Sequence, residues 1–229
     1  MGGGLGASRY SHKIAERKMK SLLIIIFLAT FIFNANAQII SSYGFKLGVG
    51  ISNQSWHYQS DLLNFDWKDK IGITTRIFAD FLSISFFNVE GEIGYLRKGF
   101  KDKVPITSES QPDGTGEYIT TNNSLDYLNI SALAKFKYDM EIFTPYVVVG
   151  PQLNLLLNRS VEQVWEDFFD KFKDYNIGLS IGVGSELKIT LPITILLEYR
   201  YERDFLDNYK VPNIDIKNYS HVILLGIKI

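Results

Sequence analysis

From Tyr175 to Glu202 the chain alternates apolar and polar residues almost without a break. Tyr175, Ile177, Leu179, Ile181, Val183, Leu187 and Ile189 fall on one side; Asn176, Gly178, Ser180, Gly182, Gly184, Glu186 and Lys188 fall on the other. After Leu191-Pro192 the pattern resumes, with Ile193, Ile195, Leu197, Tyr199 and Tyr201 opposite Thr194, Leu196, Glu198, Arg200 and Glu202. Successive side chains of an extended backbone point to opposite faces, so this stretch predicts two strands.

Six further segments share the period: residues 43–52, 70–80, about 84–98, 125–138, 144–157 and 219–229. The connections after the second, fourth and sixth strands are tight, near 81–83, 139–143 and 190–192. Those after the first, third, fifth and seventh are long, about 53–69, 99–124, 158–174 and 203–218. An even number of antiparallel strands then gathers every short turn at one end and every long loop at the other, the asymmetry of an outer-membrane barrel.

The remaining question is which face points inward. The apolar face is uniformly branched or aromatic, as lipid contact permits. The polar face is mostly Gly, Ser, Thr and Asn, with charges of both signs at Lys46, Arg76, Asp80, Glu90, Glu92, Lys135, Lys137, Glu186, Lys188, Glu198 and Arg200. Small residues and balanced charges suit a narrow lumen in which opposite charges pair. Segments of about 9–11 residues suffice to cross a bilayer as tilted strands, and these have that length. Tyr95, Tyr175, Tyr201 and Tyr219 gather toward the long-loop end, and Tyr43, Phe45, Phe136 and Tyr138 toward the short-turn end, as two interfacial girdles would. The expected fold is an all-β, eight-stranded antiparallel up-and-down transmembrane barrel with the apolar side facing lipid. A soluble periplasmic lipid-binding barrel would face the other way.

Residues 19–38, MKSLLIIIFLATFIFNANAQ, change the picture at the N-terminus. Lys20 precedes the run 22–33, in which only Thr30 is polar, and Ala35-Asn36-Ala37 is a small-residue cleavage motif. The run is shorter than the roughly 20 residues of a spanning helix, so it predicts a signal peptide cut after Ala37. Residues 1–18 are expected to be an upstream extension with Met19 as the start, leaving 38–229 as the barrel domain. Of 24 basic and 25 acidic residues, residues 1–37 hold five basic and one acidic, so cleavage leaves a net charge of −5 and no basic patch for nucleic acid. The chain has no cysteine and three histidines, which excludes disulfides and thiolate sites and argues against a histidine-rich metal centre.

Candidate chemistry is sparse. His57 and Asp61 share the first long connection and His221 begins the last strand, but no serine is tied to either and no nucleophile elbow occurs. The acidic residues of the long loops match no calcium-loop spacing. No catalytic residue, cofactor or metal is expected. In the third long loop, Val161, Val164, Trp165, Phe168, Phe169 and Phe172 recur at helical spacing and predict a short amphipathic helix. It is either a surface for a partner or for lipid, or a lid that packs its aromatics on the barrel rim; the lid is the simpler expectation, because exposed aromatics are costly to leave wet.

The segments YGFKLGVGIS (43–52), VEGEIGYLRKGF (89–100), YLNISALAKFKY (127–138), TPYVVVGPQLNLLL (144–157) and SHVILLGIKI (220–229) resemble the PorT-like outer-membrane β-barrel proteins of Bacteroidetes. The resemblance covers nearly all of 38–229 and rests on a Gly-rich first strand, an acidic third strand ending in Gly-Tyr, and Pro-Tyr opening the fifth. It implies the barrel and an outer-membrane location and is nearly silent on activity. The chain departs from a common barrel pattern by ending in Ile229 rather than an aromatic residue. The expected role is structural or interactive, through long outer loops that meet outer-membrane lipid and an envelope or surface partner, in a monomer. The alternative is a narrow solute conduit or ligand-binding barrel.

Overall fold

The structure is a computed structural model and describes residues 40–58, 68–105, 116, 118–161, 172–189, 192–206, 208 and 214–229. The predicted extension and signal segment, 1–37, lie outside the described residues. Eight strands run in chain order: β1 (Ile40–Tyr58), β2 (Lys68–Ile84), β3 (Phe87–Pro105), β4 (Tyr118–Lys137), β5 (Phe143–Ser160), β6 (Tyr175–Lys188), β7 (Thr194–Asp204) and β8 (Ile214–Lys228). Each pairs antiparallel with the next, and β8 returns to β1 to close the barrel. At the seam, Tyr43 and Ile229 exchange both backbone hydrogen bonds, at 3.1 and 2.9 Å.

The facing of the strands follows the alternation. Ile181, Leu197 and Leu225 are 48%, 55% and 59% exposed, whereas Glu90 and Arg200 are fully buried. The greasy side therefore surrounds the barrel and the polar side fills it. From Tyr43 to Ile51 the outer face of β1 is apolar or aromatic at every second position. At about 3.3 Å per residue this is roughly 26 Å of strand, or about 20 Å of height at a tilt of about 40°, most of the roughly 25 Å apolar band of such barrels. Tyr43, Phe136 and Tyr138 stand exposed toward the short-turn rim, and Tyr175 is exposed toward the other.

Several strands run past the expected limits. β3 and β4 have 19 and 20 residues and stay paired through Lys101↔Asn122 and Lys103↔Thr120 to Pro105↔Tyr118. Much of the expected loop 99–124 is thus a hairpin continuing beyond the lipid. Alternation fades there because water replaces hydrocarbon outside, so the outer face no longer has to be apolar. His57 likewise belongs to β1 and not to a loop. The first tight turn falls at Ser85-Phe86 and not at 81–83, because β2 runs on to Ile84 across a register shift in which Leu82 takes a φ of 50°.

Of the residues expected to form an amphipathic helix in the third long loop, Val161 and Phe172 are described, and neither is helical. Val161 lies outside regular structure, and Phe172 is a single bridge residue, fully buried, whose carbonyl accepts from Arg159 at 3.0 Å. Val164, Trp165, Phe168 and Phe169 lie outside the described residues.

Candidate functional site

The lumen is the most chemically loaded part of the molecule. Inward positions of the strands bring five cations, Lys46, Arg76, Lys135, Arg200 and Lys228, to five glutamates, Glu90, Glu92, Glu186, Glu198 and Glu202. The Lys46 ammonium meets Glu90, Glu92 and Glu198 at 2.6, 2.9 and 3.1 Å. Arg200 forks onto Glu92 at 2.5 and 2.7 Å, reaches Glu90 at 3.3 Å and bonds Glu198 through Nε. Arg76 joins Glu92 at 3.2 Å to Glu202 at 2.5 Å. Lys135 links Glu90 at 3.2 Å to Glu186 at 2.7 Å, and Glu186 also takes Lys228.

These contacts are charge-assisted, and the Arg200–Glu92 fork adds directional fixity. They also need each other. A charge taken from water into a barrel ringed by hydrocarbon survives only when paired and hydrogen-bonded. Asp80, also fully buried, is held by the Ser42 hydroxyl at 2.7 Å.

Apolar side chains share the lumen with this network. Phe78, Leu133, Tyr146, Val148 and Leu196 form a buried cluster. The Lys46 ammonium lies 4.7 Å from the Phe78 ring centroid and Lys135 lies 4.2 Å from that of Tyr146, within cation–π range. The Tyr146 hydroxyl donates to Glu198 at 2.8 Å. Two glycines make the room: a Cβ at Gly184 would stand 2.4 Å from the Tyr146 ring, and one at Gly44 2.6 Å from that of Phe78.

Toward the long loops a second tier is built from amides around one ion pair. Lys98 meets Asp204 at 3.2 Å, and Asn154 and Asn218 donate to the same carboxylate at 3.2 and 2.8 Å. Asn129 donates to Asn154 at 2.7 Å and Gln54 to Asn218 at 2.8 Å. Between the tiers, Ser180, Glu202 and Ser220 stand side by side on β6, β7 and β8. Both serine hydroxyls, Glu202 Oε2 and Arg76 Nε are buried there without a protein partner.

Of the charges expected in the lumen, Lys46, Arg76, Asp80, Glu90, Glu92, Lys135, Glu186, Glu198 and Arg200 are buried inside. Lys188 and Lys137, expected in the lumen as well, lie at its mouth and not inside it. Lys188 stands at the short-turn mouth, its side chain 42% exposed, and bonds Asp139. Lys137 reaches only the exposed Ser83 hydroxyl, at 3.4 Å. Both follow the inward parity but lie beyond the last interior layer, where water reaches them. Glu202, Lys228, Lys98 and Asp204 were not among the charges expected in the lumen, although each sits at an inward position of its strand. His221 faces outward, its Nδ1 2.7 Å from the Tyr199 hydroxyl. Among the described residues no group of three or more His, Cys, Asp or Glu side chains is placed to hold a metal ion.

No curated protein matches the sequence. Among solved structures the chain is similar to the outer membrane protein OprG of Pseudomonas aeruginosa, at 9% identity and a TM-score of 0.49, covering 84% of this chain and 97% of that one. It is also similar to neisserial surface protein A, at 17% identity and 0.44, covering 82% and 98%, and to Ail of Yersinia pestis, at 12% and 0.39, covering 82% and 98%. A family model described as the outer membrane protein beta-barrel domain matches residues 25–226. With that match over most of its length, the chain belongs to the outer membrane protein β-barrel family and resides in the bacterial outer membrane.

Proposed function

We propose that this protein is a sealed barrel that anchors an interaction surface in the outer membrane and carries out no catalysis. The observation that supports this reading is the closed charge network. Lys46, Arg76, Glu90, Arg200 and Glu202 are all 0–1% exposed and engage one another across the full width of the lumen. A solute would have to break several buried ion pairs to pass, each breakage leaving a charge unpaired. What varies freely in such a molecule is the set of long outer connections, which we assign to contact with an envelope or surface partner. Monomeric state, absence of a cofactor and absence of a nucleic-acid partner belong to the same reading. So does placement among the PorT-like barrels of Bacteroidetes, which rests on segments 43–52, 89–100, 127–138, 144–157 and 220–229.

Planar-bilayer recording of the purified barrel tests the proposal. The expected trace is a flat baseline. Steady conductance steps that disappear in Glu90→Gln or Arg76→Gln would make the lumen a conduit and overturn it.

A further inference from the structure

The outer face of β2, β3 and β4 carries a cluster of cations just past the apolar belt, and two of them, Lys70 and Lys101, have no carboxylate partner among the described residues. The register of β2 against β3 changes between Asp69↔Phe100 and Thr74↔Leu96. The extra residue on β2 sends Lys70 to the outside, on the same face as the exposed Ile71, which is how a bulge re-aims a side chain. Lys70 then lies across Gly99. A Cβ at Gly99 would meet the Asn123 carbonyl oxygen at 2.0 Å and Lys70 Cδ at 2.9 Å, and its φ of +152° also favours glycine.

Across that glycine the Lys70 ammonium donates to Asn122 Oδ1 at 2.6 Å and Ser124 Oγ at 2.5 Å. Both acceptors are neutral, and no other described residue accepts the third proton of the ammonium. Arg97 and Lys101 flank Gly99 on the same face of β3. Arg97 is committed to Asp126, at 2.7 and 3.2 Å, and the Tyr95 hydroxyl donates to the same carboxylate at 2.7 Å. Asp69 accepts from Asn53 at 2.8 Å. Lys70 is only 5% exposed, and among the described residues the oxygens it bonds are neutral, with the Asp126 carboxylate acting on it only from longer range. A buried cation in this state is a site whose counter-ion comes from elsewhere.

The level of the cluster says where from. Ile71 and Tyr95 end the apolar face directly below it, so Lys70 and Lys101 stand at headgroup height on a lipid-facing wall. We propose that Lys70 and Lys101, backed by the Arg97–Asp126 pair, dock the phosphate of an outer-leaflet glycolipid. The site rests on the outer-membrane placement and is independent of whether the lumen conducts. The phosphate accepts the spare proton of Lys70 and the Lys101 ammonium, and the acyl chains lie along the apolar face below.

The test uses the full chain refolded in detergent micelles, with bound lipid counted by native mass spectrometry. The probes are a diphosphorylated lipid A, the same lipid stripped of its phosphates, phosphatidylglycerol and inorganic phosphate. Roughly tenfold better retention of the diphosphorylated form than of the stripped form is expected, the scale of one or two cation–phosphate contacts at a membrane surface. Lys101→Gln and Lys70→Gln should each cut that preference, with Lys101→Gln at a half-exposed position that tolerates change. Equal retention of the two lipid A forms by the unaltered chain would overturn the proposal, and this comparison needs no variant to fold. Displacement by inorganic phosphate at matching concentration would reassign the site to a free anion. Equal retention of phosphatidylglycerol would remove the glycolipid from it, and an unchanged preference in both variants would place binding elsewhere.

Discussion

At the scale of the residue, the governing fact is that buried charges come as a set. Glu92 accepts from Lys46, Arg76 and Arg200, so Glu92→Gln takes one carboxylate from three cations at once and leaves the buried set one negative charge short, although each cation keeps another partner. The expected loss is about 3–5 kcal/mol, the cost of breaking a buried pair from one side, read from urea unfolding in micelles. Replacing Arg76 and Glu202 together by methionine should cost less than the sum of the single changes, because neither charge is then left alone; a double-mutant cycle measures the difference. Outside the membrane the same chemistry is weaker and follows pH. Hydrogen bonds from Lys188 and Thr144 hold the Asp139 carboxyl at the short-turn mouth below its usual range. Its folded-state pKa is depressed, so its contribution is present above the ordinary aspartate value of about 3.9 and is lost as pH falls through the lower folded value. Unfolding midpoints of the unaltered chain and Asp139→Asn should therefore differ at pH 6 and converge in acid.

At the scale of the element, a strand can be read from sequence wherever two different media press on its two faces. Segments 175–189 and 219–229 meet lipid on one side and the lumen on the other, and their alternation placed them correctly in β6 and β8. The continuation of β3 and β4 past Lys101 and Asn122 is polar on both faces through Asp102↔Thr121 and Lys103↔Thr120 and ends in the apolar pairs Val104↔Ile119 and Pro105↔Tyr118, so no alternating period marks it. The apolar lumen cluster was missed for a related reason. Phe78, Leu133, Val148 and Leu196 each sit at a polar-parity position between two apolar or small neighbours, so each local run reads as an interruption of the pattern and not as a residue with a place of its own. Such interruptions were the available signal. Partner identity was not legible at all: Arg76 and Glu202 are 126 residues apart, and only barrel closure brings them together. Gly184 shows how tightly the element fits its contents. Gly184→Ala should destabilise by about 1–3 kcal/mol through overpacking against Tyr146, and Tyr146→Leu should recover part of the loss, both measured by unfolding in micelles.

At the scale of the whole molecule, orientation relative to lipid controls the response to substitution. Leu197 faces hydrocarbon near the middle of the belt, so Leu197→Arg should cost about 2–4 kcal/mol, while Tyr43→Arg at the rim should cost about 0–1. Refolding into vesicles of fixed composition measures both; equal costs would mean that the belt is misplaced. The seam between Tyr43 and Ile229 has a kinetic meaning as well. Lys46 on β1 finds Glu198 on β7, and β1 finds β8, only when the hoop shuts. Until then every buried charge faces an open trough, and the first strand has one bare edge. A chain with only seven strands in place would therefore lack both a finished perimeter and part of its charge pairing, so closure at this seam is where the barrel gains its last backbone and ionic partners together.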